Sequence, residues 1–141
     1  MSPALAVATA AVFVWLGMVL AISFLEAPLK FRAPGVTLPV GLGIGRLVFR
    51  ALNACEGVLA AALVLSLFIR PSTTSAAVAA GVAVIVLLTQ VLAVRPALTR
   101  RSEATLAGAE VPRSRAHFVY VGLEIVKVIA LLVTGVLLLS G

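Results

Sequence analysis

Four long apolar stretches, at about residues 4–27, 46–69, 76–97 and 115–139, leave this chain few ways to fold. Each meets or exceeds the roughly 20 helical residues that cross a ~30 Å hydrocarbon layer. Barrel strands would be about half as long and would alternate polar with apolar residues. Backbone groups in such segments must bond within the segment, which a helix achieves alone. Of 141 residues, 62% are hydrophobic and 11% charged, and the mean hydropathy is +1.23, so almost nothing remains for a soluble domain. The expected fold class is all-α: one polytopic membrane domain, a bundle of four transmembrane helices.

A net charge of +6 would point to nucleic acid in a soluble protein. Here the placement of the charges points elsewhere. Lys30, Arg32, Arg46 and Arg50 flank the first connection, and Arg95, Arg100, Arg101, Arg113 and Arg115 flank the third. The second connection has only Arg70, and Lys127 lies inside the fourth apolar stretch. Basic loops stay on the cytoplasmic side, so both termini are expected outside, in a cell inner membrane. The partners implied are the lipid bilayer, with its anionic headgroups, and no nucleic acid. Met1 to Leu25 carries no charge, so the first stretch reads as a retained span and not a cleaved leader. Cys55 is the single cysteine and has no metal-type neighbours, which predicts a small packing residue and no disulfide or metal site.

Prolines set the expected ends of the spans. Pro28 predicts that the first helix stops near Glu26, and Pro96 that the third stops near Arg95. Residues 28–45, with three prolines and four glycines, read as a loop, partly re-entrant because residues 36–44 are apolar. The run Gly41-Leu-Gly43-Ile-Gly45 lacks the preceding strand of a phosphate loop, so it reads as a place of close backbone approach. Residues 98–114 read as a polar connection or short surface helix.

The sharpest signal is a coincidence of depth. Glu56 follows Arg46 by ten residues and Glu124 follows Arg115 by nine. At 1.5 Å per residue both carboxyls sit about 14–15 Å into two parallel helices. His117, Tyr120, Glu124 and Lys127 step by 3, 4 and 3, and Arg46, Arg50, Asn53 and Glu56 by 4, 3 and 3, so each set forms one helical stripe. Ionisable groups facing lipid at that depth cost several kcal/mol, so both stripes should face inward. The candidate ligand, ion or proton site is therefore Glu56, Glu124, Lys127, Asn53 and Tyr120, between the second and fourth helices. Arg46, Arg50, His117 and Gln90 are candidate contacts nearer the cytoplasmic side. Trp15, mid-helix and far from the interfacial belts usual for tryptophan, is expected to pack inward. Arg95 and Arg100 are expected to be topology anchors. No catalytic residue and no cofactor is implied by the pattern itself.

Three motifs carry a resemblance: Glu26-Ala-Pro28-Leu-Lys-Phe31, Gly41 to Phe49, and Asn53-Ala-Cys-Glu56. Together they resemble the transmembrane-protein-205-like family of small four-helix membrane proteins of unknown function. That likeness covers the first half best and implies a four-helix bundle. Arg46, Arg50, Asn53 and Glu56 also partly resemble the second-helix pattern of the membrane-associated eicosanoid and glutathione metabolism family. That likeness implies glutathione binding near the cytoplasmic side, although Glu124 and Lys127 are foreign to the family.

The leading expectation is a non-enzymatic protein that binds or translocates a small cation, proton or polar ligand. A 14.5 kDa bundle is small for a carrier, so a homo-oligomer or larger complex is expected. The alternatives are an accessory or assembly subunit, in which the same charges hold helices together, and a glutathione-dependent membrane enzyme.

Overall fold

A computed structural model describes residues 1–106 and 115–140. Arg113 and the far part of the 98–114 connection lie outside the described residues. Every long element is a helix, and there is no strand among the described residues. We number four helices: α1, Pro3–Arg32; α2, Leu38–Ile69; α3, Thr74–Arg100, continuing through Leu106; and α4, Arg115–Ser140. All four contain a stretch long and apolar enough to cross a membrane. Three starts are capped by side chains, as Ser2, Thr37 and Thr73 accept from the backbone N–H groups of Leu5, Val40 and Ala76. The turn from α1 to α2 uses Gly35 at φ 82°, a conformation that glycine adopts without strain.

The helices form a square. α1 packs on α2 and α4, α3 packs on α4 and more lightly on α2, and α2 and α4 face each other across the diagonal. Small and branched residues fill one half of the interior, among them Ala8, Val12, Leu63, Ala83 and Leu131. Large apolar side chains such as Leu47, Phe68 and Leu92 point outward, as they do where lipid replaces water. Interior hydroxyls return to their own helices: Thr9, Ser66 and Thr134 donate to the carbonyls of Leu5, Ala62 and Ala130.

Both proline-based boundaries are overturned. α1 runs through Pro28 to Arg32, and α3 runs through Pro96 to Leu106. In each, a π-helical stretch comes immediately before: Leu20–Glu26 in α1 and Gln90–Val94 in α3. Each stretch closes on an i to i−5 bond one residue ahead of the proline, Ala27 N–H to Ile22 and Arg95 N–H to Gln90. The widened turn makes room for a ring that would otherwise strike the carbonyl four residues back. The helix shifts its register and does not stop.

The predicted loop at 28–45 is corrected as well, since α2 begins at Leu38 and the glycine run lies in its first turns. The close approach there is made by side chains. A Cβ on Gly41 would collide with the Phe31 ring, and one on Gly45 would lie 3.0 Å from Lys30 Nζ. Cys55 is exposed on the outside of α2 and does not pack in the core.

Gly135 of α4 lies against Phe13 of α1, and an added Cβ would come within 2.6 Å of the ring tip. Gly135→Leu is expected to lower stability by about 1–3 kcal/mol through overpacking. Gly122→Leu, on a part of α4 with nothing near the Cβ, should not. Thermal unfolding of the two variants in detergent checks the contrast, and equal behaviour would contradict the α1–α4 packing described.

Candidate functional site

Lys127 is at the centre of the bundle. Its Nζ lies 2.5 Å from Glu56 Oε2, 2.6 Å from Glu124 Oε1 and 2.7 Å from Gln90 Oε1. An ammonium has three protons, and three acceptors take them. Glu56 and Lys127 are 0% exposed, and Glu124 and Gln90 1%. One ammonium touches both, so the structure brings the two carboxyls to one level of the bundle. The pair Glu56–Lys127 also bridges the α2–α4 diagonal.

The other helices complete the shell. Trp15 of α1 donates its indole N–H to Glu56 Oε2 at 2.7 Å. Ser23 of α1 donates its hydroxyl to Glu124 Oε2 at 2.6 Å, and Gln90 of α3 donates to Glu124 Oε1 at 3.3 Å. Six side chains from all four helices thus share one network, where the sequence pointed to two helices. Ser23 and Gln90 both sit on the π-helical stretches. Periodicity of 3.6 does not track a side chain through such a turn, which hid Ser23 and the central place of Gln90. Trp15 packs inward as expected, and its acceptor explains why it sits so deep.

The remaining candidates are less central. Asn53 Oδ1 and the Tyr120 hydroxyl are buried without a hydrogen-bond partner in the network, and so is Glu56 Oε1. Arg50 is exposed, and Arg46 pairs with Glu103 at 3.2 Å. Gln90 belongs to the central network, not to a peripheral position.

Beside the network opens a cavity of about 780 Å³, lined by residues of all four helices. Glu124 and Ser23 reach its wall, so the network has one accessible edge. Lys30, Arg46, Arg50, Arg95 and His117 line it too. Arg95, expected to be a topology anchor, lies against two rings. Its Cζ is 4.8 Å from the Phe49 centroid and 4.6 Å from the Tyr120 centroid. Those rings meet edge to face at 5.9 Å. Beyond Glu56, away from the cavity, the interior is the apolar core of Ala8, Val12, Leu63 and Leu131. Among the described residues no group of three or more His, Cys, Asp or Glu side chains is placed to hold a metal ion.

Compared with protein-family models, with curated proteins and with solved structures, the chain has no significant match in any of the three.

Proposed function

We propose that this is a multi-pass inner-membrane protein, with both termini extracytoplasmic, that takes up a proton at the Glu56–Lys127–Glu124 centre as part of binding a small polar ligand. One observation carries the reading: two fully buried carboxyl groups share one ammonium, and one of them, Glu124, reaches the cavity wall. Ionised, the three groups leave one uncompensated negative charge in a site that excludes water. One proton removes it, and Ser23 and Glu124 give that proton a way in from the cavity. The packed apolar half beyond Glu56 favours a one-sided binding site over a conducting path. The four-helix family resemblance and the orientation from basic loops belong to the same proposal.

The test uses infrared spectra of the full chain in detergent. A protonated-carboxyl band is expected in the wild type and should disappear in Glu56→Gln or in Glu124→Gln. Both variants keep one acid against one base and should remain folded by circular dichroism. Absence of the band across the pH range of stability would defeat the reading.

A second reading is favoured by the saturation of Lys127. Three short bonds to one buried ammonium suit a locked structural centre in an accessory or assembly subunit. For the glutathione alternative, Arg46, Arg50, Asn53 and Glu56 would have to converge on one ligand. Arg46 and Arg50 line the cavity, but Glu56 turns inward to Trp15 and Lys127, and neither it nor Asn53 is part of the cavity wall.

A further inference from the structure

The cavity poses a problem in charge that the carboxylate network does not answer. Four formal cations line it, Lys30, Arg46, Arg50 and Arg95, against one carboxylate, Glu124, which Lys127 already holds. Lys30 has Glu26 at 3.9 Å and Arg46 has Glu103 at 3.2 Å. Arg50 and Arg95 have no carboxylate within ion-pair distance among the described residues.

Arg95 is the most unusual of the four. Its guanidinium lies against both the Phe49 and Tyr120 rings. Yet Nε and Nη2 are buried without a hydrogen-bond partner, and the hydroxyl of Tyr120, whose ring the guanidinium faces, has no hydrogen-bond partner either. A buried donor left unsatisfied is costly, and a charged one more so. Donors in a rigid guanidinium fork match two oxygens of one oxyanion. The edge of the cavity has a different chemistry. Phe24, Phe31 and Val121 line it and are about 40% exposed, joining the apolar outer surface. A ligand that satisfies both regions has an anionic, oxygen-rich head and an apolar tail.

We propose that the cavity is a binding site for an anionic amphiphile, whose phosphate-type headgroup is held by Arg95 and Tyr120 and whose tail leaves past Phe24 and Phe31. Arg50 and Lys30 add long-range attraction, and the Phe49 ring keeps Arg95 aimed. The site does not depend on proton uptake at the Glu56–Lys127–Glu124 centre.

Equilibrium binding to the full chain in a nonionic detergent tests this, with decyl phosphate as the probe and inorganic phosphate and decyltrimethylammonium in parallel. Decyl phosphate should bind and the cationic amphiphile should not. Arg95→Gln should weaken binding about tenfold or more, the loss expected for a charge-assisted bidentate contact. Arg95→Lys, which keeps the charge but loses the fork, should fall between. Cys55→Ser, on the exposed side of α2 and away from the cavity wall, should bind as the wild type does. Equal affinity for inorganic phosphate would replace the amphiphile with a soluble anion and overturn the proposal. So would an Arg95→Gln protein that is folded by circular dichroism and binds decyl phosphate unchanged.

Discussion

Lys127→Met should be the most damaging single substitution in the protein. Methionine fills nearly the same space, so the loss is electrostatic. Glu56 and Glu124 would remain in a fully buried site with no cation between them. Removing one partner of a buried ion pair costs about 3–5 kcal/mol, and here two carboxyls lose the same partner. Thermal unfolding in detergent should show a large fall in midpoint, or no folded protein should be recovered. The triple variant Lys127→Met with Glu56→Gln and Glu124→Gln checks the cause. It keeps the approximate shapes and removes every charge, although the three ammonium donors are lost too, so it should recover part of the loss. Single Glu56→Gln should be mild, because Glu124 and Lys127 still match one to one. A Lys127→Met protein as stable as the wild type would mean that the three groups do not form the bonded centre described.

How much of this was legible in the sequence depends on what each residue's signal was. Helix number and class follow from segment length and hydropathy, which the backbone's need for internal hydrogen bonds makes nearly binding. Glu56, Glu124 and Lys127 were legible because the two carboxyls lie at matched distances from Arg46 and Arg115. That comparison held even though α2 begins at Leu38, since counting errors at a helix start do not change which residues share a level. Ser23, Gln90's central place and Arg95's role were not legible. All three depend on the π-helical turns before Pro28 and Pro96. Proline reads in sequence as a stop, and only tertiary packing decides whether a helix ends there or widens by one residue and continues. Asn53 shows the opposite error. It shares the periodicity of Glu56, yet its Oδ1 finds no partner in the network. A stripe puts residues on one face without saying how far each side chain reaches.

Trp15 is expected to be the second most sensitive position, and it also offers a way to observe the centre. It is completely buried, and its indole N–H is a hydrogen bond to Glu56 from the α1 side. Trp15→Ala opens a large cavity next to Glu56 and should cost about 3–5 kcal/mol. Trp15→Phe keeps most of the volume and removes the donor. Its cost should be about 1–3 kcal/mol, the range for a hydrogen bond to a charged group or a buried acceptor left short. The difference between the two variants separates packing from bonding. A double-mutant cycle of Trp15→Phe with Glu56→Met, which removes the acceptor, isolates the link itself and should give a coupling of about 0.5–3 kcal/mol. Additive losses would mean that the indole is only filler. Because Trp15 is the sole tryptophan, its fluorescence reports on the surroundings of Glu56 with no other tryptophan contributing. Emission should shift in Glu56→Gln while the helical circular dichroism stays as in the wild type. If protons reach the centre from the cavity, the wild-type emission should also follow pH, and that dependence should vanish in Glu56→Gln.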